Sequence, residues 1–454
     1  MSVLVLEIND SGLRAGSGES RQELGPGYAM LDAEGLSIGE AARSQARLRP
    51  RRLHNRFWLE LDTLPLANPV PGAATSADLA STQLAELWEQ FADETESVML
   101  IVPGYFGSDA LGLLLGIVRD CEMPVRGMVD TAVAALAGSP RGCRRLHLDV
   151  HLHLSILTSL ECGEQVYRHG VELAEGAGLA NLNQIWIDTV AAAFVHQTRF
   201  DPLHQATTEQ SLFDQVDSWA EALAADSDLT VQIEHQERVI AVQLSRRHML
   251  EAVAPVYERV AGMVESAVNR LGPVHLAVTD RWARMPGFLE CLQRTGSVET
   301  TVMTPWAAVE GALRYQQQIL CAGDEIHFTT GLPAGRAAAK PDQAPPPPAD
   351  DSRALPTHLQ LGSVIWEITE QGLTIGSAPP EGVRAVTVGG NLLGVSREHC
   401  RVLRRGDDVV VEDHSRYGTF VNDRRIEATA SLRAGDVLRI GTPGHNLLLV
   451  EART

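Results

Sequence analysis

The hydrophobic and polar positions of the first 330 residues follow two alternating patterns. A continuous apolar run at residues 97–104 (SVMLIVPG) predicts a buried strand, and apolar residues at helical spacing in residues 110–121 predict a helix that packs on it. VRGMVD followed by TAVAALAG repeats this order, and residues 245–271 predict a long helix, kinked at Pro255, before the short strand HLAVTD. Alternating strands and helices of this kind are typical of a layered α/β body.

Residues 144–160 (RRLHLDVHLHLSILTSL) largely alternate between polar and apolar and predict one long strand. The alternation would place four polar side chains on one face, namely His147, Asp149, His151 and His153. Imidazole and carboxylate groups suit zinc, but alternate strand positions spread these four over about 20 Å, so only neighbours could share an ion. A polar strand surface with satisfied histidines is the favoured interpretation, and no metal site is predicted.

The composition of the chain changes near residue 331. Residues 331–354 are rich in proline and alanine and contain four consecutive prolines at 345–348, which predicts an extended, solvated spacer. A ligand for a polyproline-binding domain is the alternative interpretation of these prolines. After the spacer, short strands separated by turn residues predict a β-sandwich. We therefore expect a domain at residues 1–330, a linker at 331–354 and a second domain at 355–454.

Negative charge is concentrated before the spacer. The formal net charge is −20, yet the residues from Ser352 onward carry 12 basic and 12 acidic side chains, so the preceding part carries the whole excess. An acidic body repels phosphate backbones, which argues against non-specific nucleic-acid binding. The six cysteines lack paired spacing, and no run approaches the roughly 20 apolar residues that span a bilayer. We expect a cytoplasmic protein with reduced thiols and with neither a nucleic-acid nor a membrane partner.

Four segments beyond the spacer share their order and spacing with one protein family. They are LTIGS, VSREHCRV, VVVEDHSRYGTFVND and LRAGDVLRIG, and they lie between residues 373 and 441. Together they resemble the forkhead-associated (FHA) domain. The resemblance implies a β-sandwich whose end loops bind a phosphothreonine-containing protein or peptide. It also implies a Ser/Thr kinase that supplies the phosphate.

The resemblance assigns candidate binding residues to two loops. In the first loop, Ser396 would donate its hydroxyl to a phosphate oxygen and Arg397 would contact peptide backbone or phosphate, while His399 would support the loop from within. The second loop would face the phosphate and make a tight turn that needs a positive φ. Its candidate residues are Arg416, Tyr417 and Gly418.

Two positions depart from the family pattern. Ser377 stands where the family has an arginine directly after the strand glycine, and Tyr417 stands where it has an asparagine. Losing the arginine removes a principal phosphate contact, and a hydrogen bond to a charged group contributes about 1.5–3 kcal/mol. Arg384, in the loop that follows, is a candidate replacement. The alternative interpretation is a structural FHA sandwich that binds an unphosphorylated surface.

Six segments spread over residues 2–315 follow the order of another family. They are VLVLEINDSG, the long stretch at residues 100–136, LHLDVHLHLSIL, LSRRHMLEAVAPVYERV, AVTDRWARMPGFLECL and TPWAAVEGAL. They resemble the ATPase domain of actin and of DnaK-type chaperones. The resemblance implies a two-lobed, actin-like body of the ribonuclease H-like class, with a nucleotide site between the lobes.

The chemistry of that nucleotide site is degenerate in this chain. Asn9 and Asp280 stand where the family has glycines, and the loop that begins at Asp149 contains none, so backbone amides could not approach phosphates closely. The residues of the degenerate site are Glu7, Asn9, Asp130, Asp149 and Asp280. We therefore expect a pseudo-ATPase without a cofactor.

For the whole chain the sequence favours a non-catalytic adaptor, in which an actin-like scaffold contacts protein and an FHA module reads a phosphorylated partner. An ATP-dependent DnaK-like chaperone with divergent phosphate loops, using ATP and Mg²⁺, is the alternative. A third interpretation is an assembly protein, because relatives of actin polymerise.

Overall fold

A computed structural model describes residues 2–451, apart from residues 33–34, 71–72, 295–297, 322–325, 336–353, 362–363, 381, 389–394, 417, 423, 427 and 441–444. The chain divides into two compact units, Met1–Ala339 and Lys340–Thr454. Buried hydrophobic clusters lie within each unit. Among the described residues, no helix is both long enough and apolar enough to cross a lipid bilayer.

The first unit is a mixed α/β structure. Its strands are β1 (Val3–Glu7), β2 (Arg14–Ser17), β3 (Ser20–Glu23), β4 (Ala29–Asp32), β5 (Gly35–Ile38), β6 (Leu53–His54), β7 (Pro65–Val70), β8 (Ala73–Thr75), β9 (Ser97–Val102), β10 (Val125–Asp130), β11 (Cys143–Val150), β12 (Leu154–Cys162), β13 (Gln165–Glu175), β14 (Leu229–His235), β15 (Arg238–Leu244), β16 (His275–Val278), β17 (Glu299–Val302), β18 (Phe328–Thr329) and β19 (Gly331–Pro333). Its helices are α1 (Glu40–Arg43), α2 (Ser76–Glu89), α3 (Ser108–Asp120), α4 (Thr131–Leu136), α5 (Leu179–Thr198), α6 (Ala206–Ala224), α7 (Arg246–Leu271), α8 (Asp280–Ala283), α9 (Phe288–Arg294), α10 (Ala307–Arg314) and α11 (Gln316–Ile319).

The two large sheets of the first unit share the arrangement of five of their six strands. The first has the order β18-β10-β9-β1-β2-β3, and the second has the order β17-β16-β11-β12-β13-β19. In each, the first strand in sequence has an antiparallel hairpin partner on one side and a later, parallel strand on the other. A further parallel strand follows outside that one. The mixed α/β class predicted from the sequence is confirmed, whereas the actin-like fold stays a prediction.

The buried strand and the helix predicted between residues 97 and 121 form where their patterns place them. β9 is buried along almost its whole length because parallel strands pair with it on both sides and helices cover the sheet. Helix α3 packs on this region through Leu114, Ile117 and Val118, as its helical spacing predicts. Pro255 lies inside α7. The kink expected there stays a prediction.

The single long strand predicted for residues 144–160 is wrong. The chain reverses between Val150 and Leu154, so the segment forms an antiparallel hairpin of β11 and β12. The amide of His151 donates to the Leu154 carbonyl oxygen at 2.9 Å and closes the turn. Both strands of a hairpin show the same alternation of polar and apolar residues. The alternation alone therefore does not reveal a turn of three residues between them. His151 and His153 therefore lie in the turn rather than on a common strand face with His147.

The first unit extends past the boundary expected from composition. Strand β19 pairs with β13, in a register that sets Gly331 beside Tyr167 and Pro333 beside Gln165. These residues, expected at the start of the linker, thus complete the second sheet. The proline run expected to form the spacer lies outside the described residues.

The second unit is a β-sandwich. Its strands are β20 (His358–Leu361), β21 (Val364–Glu367), β22 (Leu373–Gly376), β23 (Ala385–Thr387), β24 (Cys400–Arg405), β25 (Asp408–Asp413), β26 (Thr419–Val421), β27 (Arg424–Arg425), β28 (Thr429–Ser431), β29 (Val437–Ile440) and β30 (His445–Val450). One sheet has the order β21-β20-β30-β29-β26-β27 and the other β23-β22-β24-β25-β28. Alternate residues such as Leu359, Leu447 and Leu449 on the first sheet and Val402 and Val411 on the second form one buried core. The predicted sandwich is confirmed.

Candidate functional site

Two loops meet at one end of the sandwich, and His399 joins them. The amide of Ser396 donates to Nδ1 of His399 at 3.1 Å. Nε2 of the same ring lies 3.2 Å from the Gly418 carbonyl oxygen. Because Nδ1 accepts, Nε2 must carry the proton and donate to the carbonyl. Burial lowers the pKa of His399 below its usual value, so the neutral ring holds both loops, as the sequence predicts for a loop support.

Ser396 lies at the junction of the two loops. Its Oγ accepts a hydrogen bond from the Arg416 amide at 3.3 Å, which leaves its hydroxyl proton available to donate elsewhere. The amide of Ser377, at the end of β22, donates to the Ser396 carbonyl oxygen at 3.0 Å. A Cβ on Gly376 would lie only 2.0 Å from the Arg397 carbonyl oxygen. This first loop is therefore pressed against the end of β22 and is fixed there.

The second loop is ordered by Asp413, at the end of β25. Its carboxylate accepts from the Ser415 amide at 2.9 Å and from the Thr419 hydroxyl at 2.7 Å. Burial acts to raise the pKa of Asp413, but the hydrogen bonds from Thr419 and Ser415 outweigh it and hold this pKa below its usual value. Gly418 has a φ of +98° and donates its amide to the Ser415 hydroxyl at 2.7 Å. The predicted turn with a positive φ at Gly418 is thus present.

Two cationic side chains project from these loops. Arg397 and Arg416 are both exposed, and neither guanidinium makes a hydrogen bond or an ion pair within the described residues. Guanidinium groups in this state are free to bind an anion such as a phosphate. Tyr417, the remaining candidate, lies outside the described residues.

Arg384, the candidate replacement for the missing arginine, is engaged elsewhere. Its guanidinium donates to the Thr369 hydroxyl and, at 2.9 Å, to the Glu367 carbonyl oxygen. Thr369 precedes β22, whereas the first candidate loop packs against the other end of that strand. Arg384 therefore stabilises the end of the sheet that lies away from the first candidate loop.

In the first unit, two buried ion pairs link β1 and β2 to helix α8. Arg281 lies 2.9 Å from Glu7, and Arg14 lies 2.7 Å from Asp280. Burial acts to lower the pKa of Arg14, but its hydrogen bond to Asp280 and the nearby carboxylates outweigh this and raise it. Arg281 also donates to the Gly12 carbonyl oxygen at 2.8 Å. Two predicted site residues, Glu7 and Asp280, are thus each paired with a buried arginine.

Asn9 and Asp149 are also brought together. The Asn9 side-chain amide donates to Asp149 at 3.1 Å, and the Thr279 hydroxyl donates to the same carboxylate at 2.9 Å. Burial acts to raise the pKa of Asp149, but the charge of Arg281 outweighs it and holds this pKa low. His151 bonds through Nδ1 to Asp10 at 3.0 Å. These contacts occupy the polar groups of the β11–β12 turn.

Asp130 stands apart from the other predicted residues. Its carboxylate accepts from the amides of Ala132 and Val133 and caps helix α4. Arg168 pairs with its second oxygen at 2.8 Å. This arrangement is a fully partnered helix cap, and the structure places no other member of the degenerate site in contact with it.

A cleft of about 510 Å³ opens beside these ion pairs. Four arginines line it, and each has a carboxylate oxygen within 2.9 Å. These arginines are Arg14, Arg43, Arg281 and Arg284. The cleft therefore offers an anionic ligand only cations that are already paired. Within the described ranges, no group of three or more His, Cys, Asp or Glu side chains is arranged to hold a metal ion.

Sequence reasoning missed Arg14, Asp10 and Arg168, which partner the predicted residues. The sequence could have pointed to Arg14, because this basic residue stands between the apolar residues Leu13 and Ala15. Its buried carboxylate partner, Asp280, is 266 positions away, so no local pattern identifies that pair.

Comparison with known proteins assigns one region of the chain. Residues 373–441 match the family model described as the FHA domain. This range contains both candidate loops of the sandwich. No curated protein matches the chain.

Proposed function

We propose that this chain is a non-catalytic adaptor. Its FHA module binds a phosphothreonine-containing partner, and its first unit is an actin-like scaffold that contacts protein and does not turn over ATP. The observation that carries the proposal is the end of the sandwich, where Ser396 and Arg416 meet and two exposed guanidinium groups have no partner among the residues that the structure describes.

The chemistry of these loops suits a phosphate dianion. A phosphothreonine carries a charge of about −2 near neutral pH and three acceptor oxygens. Ser396 retains a hydroxyl proton to donate, and Arg397 and Arg416 present planar donor pairs that match phosphate oxygens. Because His399 and Asp413 already fix both loops, binding orders few additional groups. A Ser/Thr kinase is required to supply the ligand.

The test compares two fluorescein-labelled peptide pools that differ only in a central phosphothreonine or threonine. Fluorescence anisotropy with the full chain is expected to detect binding of the phosphorylated pool alone. Ser396→Ala and Arg416→Ala are each expected to weaken this binding by about tenfold or more, since each removes a hydrogen bond to a charged group. Arg405→Ala, a charge change at the other end of β24, is the matched control and is expected to bind normally.

Equal affinity for both pools would contradict the proposal. That outcome would favour the alternative, in which the sandwich binds an unphosphorylated surface. A phosphate-dependent affinity that survives both Ser396→Ala and Arg416→Ala would place the ligand at another surface.

The scaffold part of the proposal is supported by the closed ion pairs of the first unit. Glu7 with Arg281 and Arg14 with Asp280 occupy the loops where the family resemblance expects phosphate and adenosine. The repeated topology of the two large sheets supports the duplicated, two-lobed architecture. If this chain were an ATP-dependent chaperone, it would have to break at least one of these buried ion pairs to admit the nucleotide. Breaking a buried ion pair costs several kcal/mol.

Isothermal titration calorimetry of the full chain with ATP and Mg²⁺ separates these two functions. The adaptor predicts no binding heat, whereas micromolar binding would revive the chaperone. Sedimentation at increasing protein concentration tests the third interpretation, because an assembly protein would form filaments.

A further inference from the structure

Arg425 lies directly against the second candidate loop. It is in β27 and pairs with Phe420 of β26, so both side chains project from the same face of the sheet. Gly418 precedes Phe420 by two residues. A Cβ built on Gly418 would lie 2.5 Å from Nε and 3.1 Å from Cζ of Arg425. The guanidinium of Arg425 therefore lies over the bare backbone of Gly418, two residues from Arg416.

Arg425 shares one property with the two arginines of the candidate loops. It is exposed, and within the described residues its guanidinium has neither a hydrogen bond nor an ion pair. Other arginines of the module are engaged, through carbonyl oxygens, carboxylates, a hydroxyl or an aromatic ring: Arg384, Arg401, Arg404, Arg405, Arg433 and Arg439. In the described part of the sandwich, the unpaired arginines are thus Arg397, Arg416 and Arg425.

The acidic side chains of these loops leave a positive balance. Asp413 is occupied by Ser415 and Thr419, and Glu398 is exposed. Among the described residues of these loops and of β27, three cations without a partner and one exposed carboxylate favour an anionic ligand at this end of the sandwich.

We propose that Arg425 is the third cation of the phosphothreonine site and supplies the charge that Ser377 does not. This inference rests on the proposed function. Gly418 has no side chain, so the guanidinium of Arg425 can pass over the loop towards a phosphate held by Ser396 and Arg416. Arg384 cannot reach such a phosphate without breaking its bonds to Thr369 and Glu367, which lie at the opposite end of β22.

The experiment uses the full chain and the phosphothreonine pool described above. Arg425→Gln is expected to weaken binding at least about tenfold, because it removes a charge-assisted contact with phosphate. Arg425→Lys keeps the charge and is expected to retain most of the affinity. The matched control is Arg405→Gln, which makes the same charge change at the far end of β24 and is expected to bind as the unmodified chain does. The dependence of affinity on salt is expected to be weaker in Arg425→Gln than in Arg405→Gln.

Two outcomes overturn the inference in distinguishable ways. If Ser396→Ala loses binding while Arg425→Gln keeps it, the site is correct and Arg425 is not part of it. If the unmodified chain binds both pools equally, the proposed function fails and the role of Arg425 fails with it.

Arg425 also packs on Gly418, so the substitution could disturb the loop. The Nε–H resonance of Arg425 in the unmodified chain provides an independent measurement. It is expected to shift when the phosphothreonine pool is added and to stay unchanged with the threonine pool. An unchanged resonance during saturable phosphopeptide binding would overturn the inference.

Discussion

Arg281 lies 2.9 Å from Glu7, although the two residues are 274 positions apart in the chain. Glu7 ends the central strand of the first large sheet, and Arg281 lies in the short helix that follows a strand of the second. Both side chains are buried. This ion pair and the bond from Arg281 to the Gly12 carbonyl oxygen lie where the family resemblance expects a nucleotide.

Removing one partner of this ion pair is expected to be costly. Arg281→Met leaves the Glu7 carboxylate buried without a counter-charge and should lower the free energy of unfolding by about 3–5 kcal/mol. The double variant Glu7→Leu with Arg281→Met removes both charges of the pair and should recover part of that loss, because the buried Asp149 still loses the charge of Arg281. Chemical denaturation of the first unit measures the free energy of unfolding of the single and the double variant. A single variant as stable as the unmodified chain would contradict the buried pairing.

A substitution at Gly178 tests the position of the β11–β12 turn. A Cβ there would lie 2.3 Å from the Leu152 carbonyl oxygen and 2.4 Å from the His153 nitrogen, both backbone atoms. Gly178→Ala is therefore expected to destabilise the unit by about 1–3 kcal/mol. The control is Gly262→Ala, inside α7, where a Cβ meets nothing within 4 Å. That variant should stabilise the chain by about 0.5–1 kcal/mol because alanine favours a helix. Thermal unfolding that ranks the two variants in the opposite order would refute the turn geometry.

The stability of the sandwich is expected to depend on the protonation of His399. Its pKa is lowered by burial, so the unfolded chain, with a histidine pKa of about 6.5, binds the proton more readily than the folded one. The contribution of neutral His399 is fully present above this value and is lost as the pH falls towards the folded pKa. Denaturation between about pH 8 and pH 5 should show declining stability, with a smaller decline in His399→Gln. A ring pKa above 6.5 in an NMR titration would contradict this.

Arg384 is expected to act on stability rather than on binding. Arg384→Gln removes its bonds to Thr369 and the Glu367 carbonyl oxygen, which should lower the free energy of unfolding by about 0.5–1.5 kcal/mol for each neutral hydrogen bond lost. Its affinity for the phosphothreonine pool should stay within about twofold of the unmodified chain. A larger loss of affinity, with the fold intact, would restore Arg384 as the replacement for the missing arginine.

Much of the second unit could be predicted from its own sequence. The strand at β25, the turn at Gly418 and the strand at β26 follow from local alternation and from the need for a positive φ. His399 as a loop support followed from the family resemblance, and the structure gives it the two bonds that this role requires. Arg425 was not identified, because its contact with Gly418 arises only when β27 folds back beside β26.

In the first unit, the hydrophobic pattern predicted the order of strands and helices along the chain. It did not predict which strands pair or which elements pack together. The hairpin of β11 and β12 was missed because a short reversal preserves alternation on both arms. The resemblance predicted that side chains would crowd the nucleotide site. It did not predict that Arg14 and Arg281 would pair with the carboxylates at those positions.

The sequence by itself determined the local structure of this protein: the alternating α/β elements, the strands and turn of the FHA module, and the identity of its loop residues. These depend on neighbours within a few positions, and such neighbours are visible in a linear pattern. Only the tertiary structure decided which charges are paired and which are free. Whether an arginine meets a carboxylate hundreds of positions away depends on how the strands and helices pack. That packing pairs the arginines of the cleft, whereas Arg397, Arg416 and Arg425 have no such partner among the described residues.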